Sequence, residues 1–493
     1  MGFIINEIKY KSSFINAKGF THNKGNLIKL FPFATDTTSL TESAHDFRTF
    51  KGATGEFFRV CRDLSFTKVL DKEELIGSIL KDVYTEHAFE LKNLLTELFF
   101  DEDNDLVLFD PEILPHLNNK SQNVKLKNLQ AFISNLLIDE EVTELVSNIF
   151  TARRENNIIY KLVLEHLTHT AKGEPNTQDR SGTYEGRIAL DIRQLFKDDL
   201  RQLIAFPDFF IENISVLIKY YYFQYIIRLT TQLNYMFNDD RKASPLFYSL
   251  EWEKLSRSRF CLESGWNKLE HSMEDSFVHA NCLELLNTIE GNYGCFATGK
   301  PFTYEEILDT VKNMPPEGQN DLSIKVHRLI EDYMGAIQKA EKDNERFNWS
   351  NFTQQESDET KSWTEHHSLK LIDRLFQLIR YQFKNTGRRK PYAEYKLWFT
   401  NFVKSSYIKY RGSLGATLKI DRALLLLLTE LSILSSKSDK IILNRLWTDF
   451  ELRGLFLDHE SKKEVIIFFD KINILEKKSD SGDAQYVKSL LMK

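Results

Sequence analysis

The densest chemistry in the sequence lies between Arg380 and Arg422, where eleven basic residues face only two acids, Glu394 and Asp421. The cations are Arg380, Lys384, Arg388, Arg389, Lys390, Lys396, Lys404, Lys409, Arg411, Lys419 and Arg422, so the segment carries +9. The whole chain has a formal charge of −6, which leaves −15 for the rest. Tyr381, Tyr392, Tyr395, Trp398, Tyr407 and Tyr410 are interleaved with the cations. Guanidinium and ammonium groups neutralise phosphates and flat rings stack on bases, so one reading is a nucleic-acid surface. A solvated helix face whose rings belong to the core has the same composition, and so does a surface for an acidic protein partner.

Other motifs approach a chemical site without completing it. Gly294 to Lys300 fits GxxxxGK, but Pro301 stands where a phosphate-binding loop needs a hydroxyl for Mg²⁺, and CLELLNTIE before it reads as helix. Thr303-x-x-Glu306 instead reads as the capping box of the next helix. Asp101, Asp103, Asp105 and Glu112 have calcium-loop spacing, yet Leu106 occupies the glycine position and prolines 111 and 115 impair the exit helix. Cys261, His271, His279, Cys282 and Cys295 include a single helix-spaced pair, His279 and Cys282, where zinc prefers paired, close ligands. His166/His169 and His366/His367 are weaker signals of the same kind. No GxSxG, HExxH or framed acidic pair is present. The sequence therefore reads as non-enzymatic, with no cofactor and no metal, and a nuclease built on Asp101, Asp103, Asp105 and Glu112 remains the catalytic alternative.

The elements that must carry these residues are helical. Glycine and proline (20 and 10 of 493 residues) make up about half their usual share, too few for the turns of a sandwich, barrel or propeller. Aromatics reach 13%, with 37 Phe and 19 Tyr, which suits helices packed through rings. Apolar spacing of three and four predicts helices within 71–100, 126–167, 188–286 and 303–340, broken at Asn313 to Gly318 by paired prolines. Ala171 to Arg187 and Glu341 to Ser362 are polar and read as linkers. The expected organisation is a mostly helical domain over 1–170, an aromatic-rich helical domain over 188–340, the basic helical segment 363–420 and a module over 421–493. The opening MGFIINEIKYKSSF is too short in apolar residues for a signal peptide, and Asn6 breaks a myristoylation motif. Asp208, Glu212, Lys219 and Arg228 interrupt the apolar run Phe206 to Phe237, so a buried helix pair in a cytoplasmic protein is expected, with no membrane contact.

The last module reads as a winged helix. Asp421 caps a helix striped by Leu424, Leu427, Leu428, Leu431 and Leu434. A second helix carries Ile442, Leu446 and Phe450 and ends at Gly454; LFLD follows as a short extended piece. Ser461-x-x-Glu464 opens a third helix from Val465 to about Leu475, and two strands flank a Ser-Gly-Asp turn. In DNA readers of this type the third helix enters the major groove and the hairpin touches the backbone. Lys462, Lys463, Lys477 and Lys478 would serve that contact, but residues 423–493 balance eleven cations against eleven acids, so a protein partner suits the module equally.

RGSLG (411–415), the leucine-rich helix, FELRGLFLDHES (450–461), SDSGDAQYVKSL (479–490) and the early KLFPFATDT (29–37) together resemble the DptG (DndG) family. The resemblance implies a bacterial subunit of a restriction and antiviral defence system that depends on DNA phosphorothioation. It implies DptF-like and DptH-like ATPase partners, double-stranded DNA as the target, and an accessory or bridging role without catalytic residues. A pure scaffold that never touches DNA is the alternative.

Overall fold

The structure is a computed structural model of the chain; it describes residues 2–492 apart from 17–18, 23–24, 36, 38–39, 41–42, 69, 118–122, 152–157, 168–169, 173–183, 238–243, 346, 353–363 and 478–484. It is 64% helical and 10% strand, so the expected mainly-α class holds.

In the N-terminal part, α1 (Lys51–Cys61) packs on α2 (Val124–Leu137), whose Leu126, Leu129, Ile133 and Leu137 are buried. Next come α3 (Arg187–Ile204) and α4 (Pro207–Tyr235), which pack against each other. The stretch expected to be a helix pair is this one 29-residue helix. Pro207 sits in its first turn, where no backbone N–H is needed, and nothing inside the run breaks it. Burial runs around its whole circumference, as for a helix at the centre of a core. Two of its tyrosine tips find carbonyls: the Tyr220 hydroxyl donates to Arg453 O at 3.0 Å and that of Tyr225 to Leu30 O at 3.1 Å.

A strand follows where helix was expected, β1 (Phe247–Leu250). Beyond it lie α5 (Ser276–Leu286) and α6 (Pro316–Ala340), the latter starting at the paired prolines as anticipated. The Thr303/Glu306 capping box is formed. α7 (His367–Asn385) packs against both α5 and α6, and the chain turns through α8 (Arg389–Tyr395) into α9 (Leu397–Ser406).

The remaining elements are β2 (Ile408–Tyr410), β3 (Ala416–Ile420), α10 (Arg422–Ser435), β4 (Lys440–Ile442), α11 (Leu443–Leu452), β5 (Phe456–Leu457), α12 (His459–Lys471), β6 (Leu475–Lys477) and β7 (Gln485–Lys488). β5, β1, β3 and β2 form one sheet in that order. β1 lies parallel to both neighbours, with Ser249 opposite Lys419 and Phe456 opposite Phe247. The expected segments 188–340, 363–420 and 421–493 thus meet in a single sheet, and one connected cluster of buried side chains runs from Phe3 to Val487.

Asp421 caps α10 as expected, its Oδ1 accepting from Leu424 N at 2.8 Å, and the five leucines of the stripe are buried. Three local readings are corrected. Ile442 belongs to β4 and is exposed, because the chain must run extended there to pair with β7. α12 starts at His459, capped by Asp458, which accepts from Ser461 N at 2.9 Å; Ser461 and Glu464 therefore lie inside the helix. Leu475 lies in β6 rather than in that helix. β6 and β7 form the expected hairpin, β4 completes a three-stranded sheet in the order β4-β7-β6, and the Ser-Gly-Asp turn falls outside the described residues. No helix among the described residues is long and apolar enough to cross a membrane.

Candidate nucleic-acid interface

The fold sorts the basic residues into those bound by the protein and those left to solvent. Arg380 of α7 meets Asp275 at 3.2 Å and Lys396 meets Glu274 at 3.7 Å. Lys409 of β2 donates to Glu251 O, and Lys419 pairs with Glu251 at 3.0 Å. Arg411 is consumed entirely: it donates to Glu253 O at 2.6 Å, Leu250 O at 2.7 Å, Ser249 Oγ at 3.1 Å and Thr417 Oγ1 at 3.3 Å. It stitches β3 to the turn after β1. Arg422 lies over the rings of Trp252 and Phe468, 5.3 and 5.5 Å from their centroids.

Lys384, Arg389 and Lys404 are exposed and meet no carboxylate among the described residues. Lys390, also exposed, has only a 3.8 Å contact with Glu394 one turn on. Such solvated pairs contribute about 0–1 kcal/mol, so Lys390 stays available. Lys384, Arg388, Arg389 and Lys390 all come from the end of α7 and the start of α8. That short connection concentrates four cations because Thr386 ends α7 extended and Arg388 restarts the helix immediately.

The interleaved rings do not join this surface. Tyr395, Trp398 and Tyr407 are buried, and Tyr407 stacks on Phe223 of α4 with centroids 4.0 Å apart. Tyr381 donates to Asn348 O at 2.9 Å and Tyr392 to Asp275 Oδ1 at 2.7 Å. Only Tyr410 is exposed, at 66%. The reading of the rings as a base-stacking platform is therefore corrected: five of the six hold α7, α8 and α9 to the core.

In the C-terminal module Lys462 pairs with Glu451 at 3.1 Å, Lys463 with Glu460 at 2.9 Å and Lys477 with Asp470 at 3.3 Å. Lys478 lies outside the described residues. The exposed face of α12 shows Glu460, Lys463, Ile467, Asp470 and Lys471, which is balanced in charge.

The incomplete motifs take structural parts. Asp101 pairs with Lys51 and its Oδ1 accepts from the backbone N–H groups of Asp103 and Asp105 at 3.0 and 2.9 Å; Glu112 is exposed on a separate turn. Residues 294–297 form a 3₁₀ turn after a two-residue strand, not the strand–loop–helix of a phosphate loop. Burial raises the thiols of Cys261, Cys282 and Cys295 to about 12, so they remain protonated near neutrality. His279 is enclosed between Tyr304 and Phe376, and burial, opposed by the Asp275 charge and aided by that of Arg380, lowers it to about 4. His169 falls outside the described residues, and His166 meets Asp82 at 3.1 Å. Among the described residues no three His, Cys, Asp or Glu side chains converge as metal ligands.

Sequence reasoning missed two buried charge networks. Arg453 meets Asp199 at 2.5 Å, while the Tyr221 hydroxyl donates to the same carboxylate at 2.5 Å. Arg259 joins Glu253 to Asp458, with 2.6 Å to the latter, and Ser461 Oγ donates to Glu253 at 2.9 Å. Arg453 and Asp199, and Arg259 and Asp458, come from segments far apart in the chain, so no local pattern announces them. Set against known proteins, the chain matches no family model and no curated protein sequence.

Proposed function

We propose that this chain is a non-catalytic accessory subunit of the DptG kind, bridging duplex DNA and ATPase partners in a phosphorothioation-dependent restriction complex. The observation that carries the DNA part is the group Lys384, Arg389, Lys390 and Lys404, solvated and without strong carboxylate partners in a chain of net charge −6. Cations left unneutralised on an acidic protein suit phosphate contact and counterion release. The family part rests on the resembling phrases alone. The order α10, β4, α11, β5, α12, β6, β7, with β4, β7 and β6 in a three-stranded sheet, supports reading the end of the chain as a winged helix. The balanced charge of its third helix favours a protein partner there, which gives the chain a DNA-facing and a protein-facing part.

A gel-shift titration of the full chain on duplex DNA at several salt concentrations tests this reading. Arg389→Ala, Lys390→Ala and Lys404→Ala together should weaken binding on any sequence. Each lost phosphate contact should reduce the log–log salt slope by about 0.9. Binding and slope unchanged in the triple variant would remove DNA contact from this surface and leave the scaffold reading.

A further inference from the structure

One cavity of about 340 Å³ gathers features that neither the basic surface nor the motifs explain. Its walls come from the loop containing KLFPFAT (29–35), the first turns of α2, α5, and the α7–α8 connection. Lys29, Lys125 and Arg388 all line it, and among the described residues no aspartate or glutamate does. None of the three has an ion-pair partner among the described residues, whereas Arg380 and Lys396 nearby are each paired with a carboxylate. Phe33 and Tyr395 supply ring-lined apolar wall, their centroids 5.3 Å apart and nearly perpendicular.

His22 is the second, independent sign. It is 8% exposed, lines the cavity, and neither ring nitrogen has a hydrogen-bond partner. A buried polar group without a partner costs stability unless something pairs with it. Burial, aided by the nearby Arg388 charge and opposed by the neighbouring Gln382 side chain, which lies outside hydrogen-bond geometry, lowers His22 to about 3, so the ring is neutral and offers one donor and one acceptor. Glu284 of α5 is engaged by the N–H groups of Asn26, Leu27 and Ile28 at 2.8, 2.8 and 3.0 Å.

Three unpaired cations, an unpartnered imidazole and aromatic walls in a cavity of small-ligand size suit an anion that carries a flat ring. We propose that this cavity binds a nucleoside 5′-phosphate, the phosphate between Lys125 and Arg388 and the heterocycle against Phe33 and Tyr395 with His22 at its edge. The ligand is either a free mononucleotide or the phosphorylated end of a strand. The assignment is independent of the duplex-binding surface, which uses other side chains.

Titration calorimetry of the full chain with thymidine 5′-monophosphate, with a short oligonucleotide bearing or lacking a 5′-phosphate, and with inorganic phosphate tests it. Saturable one-to-one binding of the mononucleotide identifies the free ligand. Binding of the phosphorylated oligonucleotide alone identifies a strand end. In either case Arg388→Ala and Lys125→Ala should each weaken binding by about tenfold or more, the worth of a charge-assisted contact. Arg389→Ala with Lys390→Ala should leave binding of the mononucleotide unchanged. Near-ultraviolet circular dichroism confirms that each variant is folded, and Lys29→Met provides a further folded variant. No saturable heat with any nucleotide overturns the proposal. So does inorganic phosphate bound as tightly as the nucleotide, or an affinity that Arg388→Ala and Lys125→Ala leave intact.

Discussion

Arg453 and Arg388 are arginines of one chain in opposite circumstances. Arg453 is almost fully buried and surrounded by acceptors, with Asp199 in a forked contact and Asp449 O at 3.1 Å. Arg388 borders a cavity beside two lysines, with no carboxylate in its lining among the described residues. The first arrangement holds α3, α4 and the end of α11 together; the second has no ion-pair partner among the described residues. Counting charge along the sequence treats the two alike. Only the partners brought by the fold separate a cation that serves the structure from one left for a ligand.

The sharpest way to break that contrast is at Arg453. Arg453→Ala leaves Asp199 buried with Tyr221 as its remaining side-chain partner, which should cost about 3–5 kcal/mol in urea unfolding of the full chain. Replacing both members, Asp199→Leu with Arg453→Met, should recover much of that loss because the two charges leave together. A cost near zero for Arg453→Ala would mean that the pair is not what joins these helices.

An intermediate case is Glu284, buried and bound by backbone N–H groups of the cavity loop. Burial outweighs those three donors and raises its pKa from 4.5 to about 7. The folded state therefore holds this proton more tightly than the unfolded chain. Its contribution to stability is fully present below about pH 4.5 and is lost as the pH rises to about 7. The loss should amount to roughly 2–3 kcal/mol. Glu284→Gln should flatten that part of the profile in unfolding measured from pH 4 to 8; an unchanged slope would assign the dependence to other groups.

The smallest effect is expected where the cations are unpaired. Arg388→Met and Lys125→Met should shift stability by no more than about 0.5 kcal/mol, or raise it slightly, because like charges are relieved and no partner is orphaned. A loss comparable with that of Arg453→Ala would show that these side chains serve the fold.

Much of the helical frame was legible. The leucine stripe after Asp421 and the double proline at 315–316 act through local geometry, and the structure places both as the spacing dictates. β1 was not legible, because FYSL is too short to show a strand period and its partners, Ala416–Ile420 and Phe456–Leu457, lie far along the chain. The rings of 381–407 misled for a related reason: a core face and a stacking face have the same sequence, and burial by α4 decides between them. The phrases that resemble DptG are informative in another way. RGSLG provides Arg411 and two glycines at positive φ in the turn between β2 and β3. FELRGLFLDHES contains Arg453, Gly454 at φ 89° and the Asp458 cap. Both are built for structure, whereas KLFPFAT lines the cavity, and nothing in the spacing of the three told them apart.

The placement of β1 between β3 and β5 also has a consequence during synthesis. At about 5–20 residues per second, β1 leaves the ribosome on the order of ten seconds or more before either neighbour. Through that interval Tyr248 and Leu250, fully buried in the finished protein, belong to a strand with two open edges. The nascent chain is thus sticky at its middle until its end arrives. Truncations that stop short of Ala416 should be held by chaperones or aggregate, even though most of their helices are complete.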